Sequence, residues 1–256
     1  MLDKQLVIQR FTKALPTYDE TVIIQPKIIE QLVEYIKDIK IYNYERILEI
    51  GAGTGMLTNK LLEIFSSKDF FINDICKDII PFYKNIENTA GTNINFLIGD
   101  AEEIVFPNNI DLIISSSTVQ WFENLDFFLQ KCYESLNSNG TLILTSFGEK
   151  NFKEIKAITQ TGLNYFSKNI LEEKVAKSFD ILMLTEKEYV VSFDSPNDIL
   201  LHCKRTGVTA SNTKAWTKQT LINFCKTYKE KFQINNKVYL TYHPIFLIAR
   251  KKVFEL

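Results

Sequence analysis

The sequence predicts an α/β fold, a mainly parallel sheet wound on both faces by helices. Three observations carry this. Short β-branched apolar runs recur and stop abruptly at Gly, Asp, Asn or Ser, and runs apolar on both faces are what a helix-covered parallel sheet requires. Stretches with apolar residues three and four positions apart separate several of these runs. A glycine-rich segment follows the first run, at the carboxyl edge where open α/β sheets bind ligands.

Taken in order, residues 1–25 form a flanking N-terminal segment. A helix is predicted over 26–39, where Ile28, Ile29, Leu32, Val33 and Ile36 share a face. The first strand is Arg46-Ile-Leu-Glu-Ile50, followed by a helix over 57–65 marked by Leu57, Leu61, Leu62, Ile64 and Phe65. Strands are expected at 69–73, 94–98 and 110–114. A helix over 126–136 then leads into the turn Asn137-Ser-Asn-Gly140 and a fifth strand at 141–145. Beyond Phe147 the rhythm changes. Helices are expected over 151–165 and 169–178, a single strand over 184–193, a helix opened by Ser195-Pro-Asn-Asp198, and another over 217–232. Two β-rich runs interrupted by Pro244 end the chain. Proline has no amide hydrogen to give to a ladder, so 245–251 is read as the last strand and Tyr242-His243 as its entry.

Composition narrows the class. With 24% charged and 45% apolar residues and only 9 Gly and 6 Pro, the 256 residues read as one globular unit, and disorder and low-complexity repeats are excluded. The 4 cysteines are scattered with no C-x-x-C pair, which argues against zinc and a disulfide framework and for a reducing compartment. The N-terminus lacks the apolar core of a signal peptide, and no stretch approaches the roughly 18 apolar residues of a membrane helix. A soluble cytoplasmic protein is expected.

The segment Glu49-Ile-Gly-Ala-Gly-Thr-Gly55 joins the first strand to a helix. Glycines there permit a tight turn and close approach of a ligand to free helix-terminal amides, which by itself suits any nucleotide-like ligand. Three details favour S-adenosylmethionine over a dinucleotide. The spacing is G-x-G-x-G, not G-x-G-x-x-G. Glu49 stands where it would repel a pyrophosphate but attract a sulfonium or ammonium. Asp74 and Asp100 end two later strands, placed to accept ribose hydroxyls and the adenine amino group respectively. Alone, either aspartate reads equally as a helix cap or turn residue.

Together these residues resemble the class I S-adenosylmethionine-dependent methyltransferases. The resemblance implies a Rossmann-like seven-stranded sheet with an antiparallel last strand, an N-terminal helical lid and a helical insertion after strand five. It assigns Glu49, Gly51, Ala52, Gly53, Gly55, Asp74, Ile75, Asp100, Ala101 and Ser115 to S-adenosyl-L-methionine, with S-adenosylhomocysteine as product and no metal. A single domain over 1–256 follows, with a lid at 1–25, a cofactor core at 40–147, a substrate- and partner-facing insertion at about 150–235 and the final strand region at 237–251.

More particular stretches are Gln9-Arg-Phe-Thr-Lys-Ala-Leu-Pro-Thr-Tyr-Asp-Glu-Thr-Val-Ile-Ile-Gln25, Ser115-Ser-Ser-Thr-Val-Gln-Trp121, Leu201-His-Cys-Lys-Arg-Thr-Gly-Val208 and Leu240-Thr-Tyr242. They are similar to the malonyl-[acyl-carrier protein] O-methyltransferases of biotin synthesis, from about residue 8 to 250. The turn after strand four departs from that family, reading Ser-Ser-Ser-Thr where members often have Asn and smaller apolar residues. The resemblance implies methyl transfer to the free carboxylate of a malonyl group on acyl-carrier protein, giving the ester that primes pimeloyl synthesis. A carboxylate is ionised near pH 7 and needs no base, so positioning is the task.

Catalytic roles are expected for Tyr18 on the lid, Trp121 as an aromatic wall and Arg205 as a carboxylate clamp. Lys204 is the competing clamp, and Gln120, Tyr242 and His243 complete the substrate side. The plainer readings are a packing aromatic for Tyr18, a core residue for Trp121, solvated helix-end cations for Lys204 and Arg205, and a supporting role for His243.

The net charge of −1 hides an asymmetry, since residues 1–149 carry 12 basic and 21 acidic side chains and residues 150–256 carry 18 and 10. Lys168, Lys174, Lys177, Lys214 and Lys218 are expected to meet an acidic carrier protein, or else are ordinary solvated faces. Carboxyl methylation of a free small acid resembling aconitate, and a non-catalytic S-adenosylmethionine-binding module, remain the alternatives. A nucleic-acid substrate is disfavoured by the acidic cofactor half, and a membrane role is not expected. The expected state is a monomer.

Overall fold

A computed structural model describes residues 3–39, 44–84, 86, 91–163, 165–207 and 216–253. The chain opens with α1 (Lys4–Ala14), a short α2 (Tyr18–Thr21) and α3 (Gln25–Ile39). Then come β1 (Arg46–Ile50), α4 (Met56–Ile64), β2 (Asp69–Asp74), β3 (Asn93–Ile98), β4 (Ile110–Ser116), α5 (Leu125–Ser135) and β5 (Leu136–Phe147). The remainder is α6 (Lys153–Thr159), α7 (Lys168–Val175), β6 (Phe179–Glu186), β7 (Tyr189–Phe193), α8 (Pro196–Arg205), α9 (Lys218–Phe232), β8 (Gln233–Ile234), β9 (Lys237–Tyr242) and β10 (Pro244–Lys251). Helix starts are set by side chains that accept an otherwise unpaired amide: Asp3 for α1, Asn124 for α5, Ser167 for α7, Ser195 for α8 and Thr217 for α9.

Seven strands form the main sheet in the order β3-β2-β1-β4-β5-β10-β6, and β10 runs antiparallel to both its neighbours. The last strand is thus antiparallel, as expected. Alternation along each strand divides the core. Ile47, Leu112, Ile114, Phe246 and Ile248 face one side, under α3, α4, α8 and α9. Leu48, Ile50, Ile113, Leu247 and Ala249 face the other, under α5 and α7. The order reverses between β2-β1 and β4, so the crevice at the end of β1 is the topological switch point.

Four expectations for the second half of the chain need correction. The run read as one strand over 184–193 is two strands in two sheets, since β6 edges the main sheet whereas β7 joins a second sheet of order β7-β9-β8. The break falls at Lys187-Glu188, where the Lys187 amide donates to the Pro244 carbonyl and Glu188 is drawn to Lys150 and Lys153. Tyr242 is not the entry to the last strand; it ends β9, paired with Tyr189. Pro244 is where the chain changes sheet. The turn at 137–140 lies inside β5 as an irregularity in its pairing with β4. The helix expected over 151–165 is only α6, closed by Gln160 in the left-handed region. Among the described residues no helix is long and apolar enough to cross a membrane.

Phe246 sits at the centre of this packing, fully buried with its ring edge-on to Tyr35 at 5.4 Å between centroids. Phe246→Ala is expected to cost about 3–5 kcal/mol, read as a lower urea midpoint with an unchanged slope.

Candidate functional site

The Asn73 carbonyl, at the end of β2, accepts from both the Gly51 amide at 2.9 Å and the Ala52 amide at 3.0 Å. This bends the chain after β1 across the neighbouring strand. Gly51 has φ +68°, and a Cβ on it would lie 2.1 Å from Thr118 Oγ1. No other residue fits. The Gly53 amide donates to Asp74 Oδ2 at 2.9 Å and the Cys76 amide to Asp74 Oδ1 at 2.8 Å, so one carboxylate joins the loops after β1 and β2. Gly55 does a different job. It precedes α4 with φ +84° against Ile86 and Tyr83 and lies off the cavity wall.

A cavity of about 150 Å³ opens above this turn. Its walls include Glu49, Gly51, Ala52, Gly53, Asp74, Ile75, Asp100 and Ala101, together with Tyr18 and Trp121. Glu49 is buried and accepts from Thr58 Oγ1 at 2.6 Å. Burial pushes its carboxyl up to about 8, against the Thr58 hydrogen bond and with help from the charge of Asp74. Burial also raises Asp74, opposed by the amides of Cys76, Gly53 and Ile75. A pocket whose floor holds two buried carboxyls and open backbone suits a cationic, ribose-bearing ligand. Among the described residues no cluster of His, Cys, Asp or Glu could hold a metal ion.

The N-terminal helices roof the cavity, with Lys4, Val7 and Phe11 on one face of α1 and Tyr18 5.2 Å from the Phe11 ring. The roof is fastened to each strand-end loop in turn. Asp19 Oδ1 accepts from Thr54 Oγ1 at 2.6 Å, Thr12 Oγ1 meets Cys76 Sγ at 3.0 Å, and Lys4 Nζ lies 2.5 Å from Asp100 Oδ2 and 2.6 Å from Glu102 Oε2. Asp100 is therefore on the wall, but its oxygens face Lys4 and the Glu102 amide. Burial raises the Tyr18 phenol well above its ordinary value, so it is a neutral donor at pH 7.

Other expected residues fall elsewhere. Ser115 is wholly buried and donates to the Ile50 carbonyl at 2.9 Å; Ser116, Ser117 and Thr118 line the cavity in its place. Gln120 braces that turn by donating to the Ser117 carbonyl and is not on the wall. Tyr242 is buried on His202, with 2.5 Å between its hydroxyl and Nε2, and burial lowers the pKa of that imidazole. His243 is buried with Nδ1 accepting from the Lys150 amide at 3.3 Å. Neither Tyr242 nor His243 lines either of the two cavities described, because the change of sheet at Pro244 turns both into the core. Lys204 and Arg205 line a second cavity, behind α1. Of the lysines expected to meet a carrier, Lys174 and Lys177 both pair with Asp126, and Lys214 lies outside the described residues, as does Val208.

Sequence reasoning missed Lys4, Val7, Phe11, Asn73 and Ser117. The spacing of Val7 and Phe11 was available as a helix face. Ser117 gave no signal, yet it has φ +57° and a buried hydroxyl without a protein partner, strain of the kind that gathers at functional sites.

Because burial holds the Glu49 carboxyl at about 8, a cationic ligand that ionises it below that pH must displace a proton. Affinity for S-adenosylhomocysteine, whose amino group stays cationic over this range, is expected to rise about 50-fold from pH 6 to 8, as the ionised share of a carboxyl near 8 rises from about 1% to about one half. Titration calorimetry should show that rise disappear in Glu49→Gln.

A methyltransferase domain family model matches residues 48–144. The chain is 38% identical over 256 residues to a malonyl-[acyl-carrier protein] O-methyltransferase of Haemophilus influenzae, covering 99% of this chain and 97% of that one. It is 36% identical to the protein of the same name from Bacteroides fragilis, covering 97% of this chain but spanning only 51% of that relative's length. In fold it is similar to the N-methyltransferase NodS of Bradyrhizobium japonicum bound to S-adenosyl-L-homocysteine, with TM-score 0.60 and 10% identity over 96% of this chain and 99% of that one. A class I methyltransferase sheet, a glycine turn held by Asn73 and Asp74, and identity that runs almost end to end lead to one assignment: this chain belongs to the malonyl-[acyl-carrier protein] O-methyltransferase family.

Proposed function

We propose that the chain methylates the free carboxylate of a malonyl group carried on acyl-carrier protein, acting as a cytoplasmic monomer, and that its product primes pimeloyl synthesis for biotin. The observation that carries this reading is the convergence of Tyr18 and Trp121, from the two stretches most particular to the family, on the cavity of the glycine turn. We read the chain as one methyltransferase unit with residues 1–25 as its lid.

S-adenosyl-L-methionine, when bound, supplies a methyl group on a cationic sulfur that an in-line nucleophile can take. Glu49 and Asp74 would hold its charged and ribose portions, laid close against the backbone of Gly51, Ala52 and Gly53, with Ile75, Asp100 and Ala101 at the far end. A malonyl carboxylate is already ionised at neutral pH, so no side chain has to remove a proton. Tyr18 donates a hydrogen bond from its phenol to the carboxylate, with Ser117 Oγ as a second donor. Trp121 and Phe11 keep water from the anion. Methyl transfer brings an anion and a cation together into neutral products, so excluding water favours it. Lys204 and Arg205, lining the cavity behind α1, serve the substrate's approach and not its carboxylate.

With methyl-labelled S-adenosylmethionine and malonyl-acyl-carrier protein, label is expected in an alkali-labile ester on the acyl group. Equal labelling of free malonate or of a small tricarboxylic acid would assign the chain to free acids, and binding without any transfer would make it a non-catalytic module. Tyr18→Phe is expected to lower kcat/KM about 10- to 100-fold, the worth of one hydrogen bond to a charged group, with S-adenosylhomocysteine affinity unchanged.

A further inference from the structure

The cavity behind α1 measures about 710 Å³ and differs in chemistry from the one in front. Arg10, Lys13, Lys156, Lys204 and Arg205 line it, and among the described residues no Asp or Glu does. The dipole of each helix accounts for some of these cations singly, because Lys13, Lys156, and Lys204 with Arg205 stand in the last turns of α1, α6 and α8. It does not account for three helix ends meeting round one hollow with no carboxylate on its wall among the described residues. The helix-end cations Lys13, Lys156, Lys204 and Arg205 repel one another, and a multiply charged anion removes that cost. Much of the remaining wall is apolar and aromatic, with Phe152, Ile155, Leu163, Tyr165, Leu200 and Trp216.

An anion-binding rim on a greasy hollow suits a ligand that joins a phosphate to a long, weakly polar chain. The arm of an acyl-carrier protein has that constitution, a phosphodiester followed by pantetheine and a thioester. Resting on the carrier reading above, we propose that this cavity receives the phosphopantetheine arm. Lys204, Arg205 and Lys13 hold the phosphate, and Phe152, Tyr165 and Trp216 line the path of the chain. Thr17 lies on this cavity and Tyr18, the next residue, on the other. An arm that passes Thr17 therefore brings its acyl end to the Tyr18 phenol. The two cations expected to clamp the carboxylate grip the other end of the same substrate.

The test uses binding alone, so its outcome is separate from that of the transfer assay. Titration calorimetry on the full chain compares 4′-phosphopantetheine, pantetheine and inorganic phosphate. Phosphopantetheine is expected to bind at least tenfold more tightly than either of the others. In Lys204→Ala/Arg205→Ala its advantage over pantetheine should fall to within twofold, with the melting temperature unchanged because both side chains are exposed. Equal affinity for phosphopantetheine and pantetheine in the unsubstituted chain, a preference that survives the double substitution, or phosphate alone binding as well as the whole arm would each overturn the proposal. A phosphate preference without methyl transfer to malonyl-acyl-carrier protein would overturn the carrier-methylation reading and leave this cavity a phosphopantetheine site.

Discussion

One carbonyl oxygen organises the carboxyl edge of the sheet. By accepting two successive amides, Asn73 folds the chain after β1 flat over β2, and the absence of a side chain at Gly51 then lets the loop after β4 close to within contact of it. Asp74 returns the favour by taking the Gly53 and Cys76 amides. The buried carboxyls, the open backbone and the strained turn at Ser117 all depend on that fold-over. Losing it would move three loops at once, because each is fastened to the next.

The roof turns this cradle into a closed site. Its three fastenings, at Thr54, Cys76 and Asp100 with Glu102, reach the loops after β1, β2 and β3 separately. A lid held at one point would swing; one held at three is seated. Glu102 extends the chain of contacts by accepting the amides of Glu123 and Asn124 beside Trp121. The aromatic wall and the lid are therefore braced by the same carboxylate. Burying Glu49 until its carboxyl resists ionisation has a cost that a cation bound beside it offsets.

Much of this was legible in the sequence. The strands at 46–50 and 110–114 and the helix at 26–39 appeared close to where periodicity put them, because burial on a sheet face or helix stripe writes itself into spacings of two and of three to four. The glycine turn with Asp74 was legible because its chemistry is local to strand ends. What could not be read was contact between distant segments. Nothing near Lys4 announces Asp100, 96 residues on. Nothing in 184–193 reveals a change of sheet, since both halves are equally good strands and the break is set by Pro244 from elsewhere in the chain. Arg205 was recognised as a cation worth noticing, but which hollow it faces depends on where α1 lies. Ser115 was misplaced because a strand end alternates: its own side chain turns into the sheet, and Ser116 and the turn after it line the opening.

Helix α1 is a party wall. Lys4, Val7 and Phe11 belong to one room and Arg10, Lys13 and Ala14 to the other, so the helix cannot turn or tilt for one occupant without redrawing the space of the second. Two ligands that share a wall are energetically linked to the extent that either shifts it, and linkage of binding is reciprocal: whatever factor the first imposes on the affinity of the second, the second imposes on the first. With both rooms filled as proposed, eleven residues of helix would let each half of the reaction register the arrival of the other.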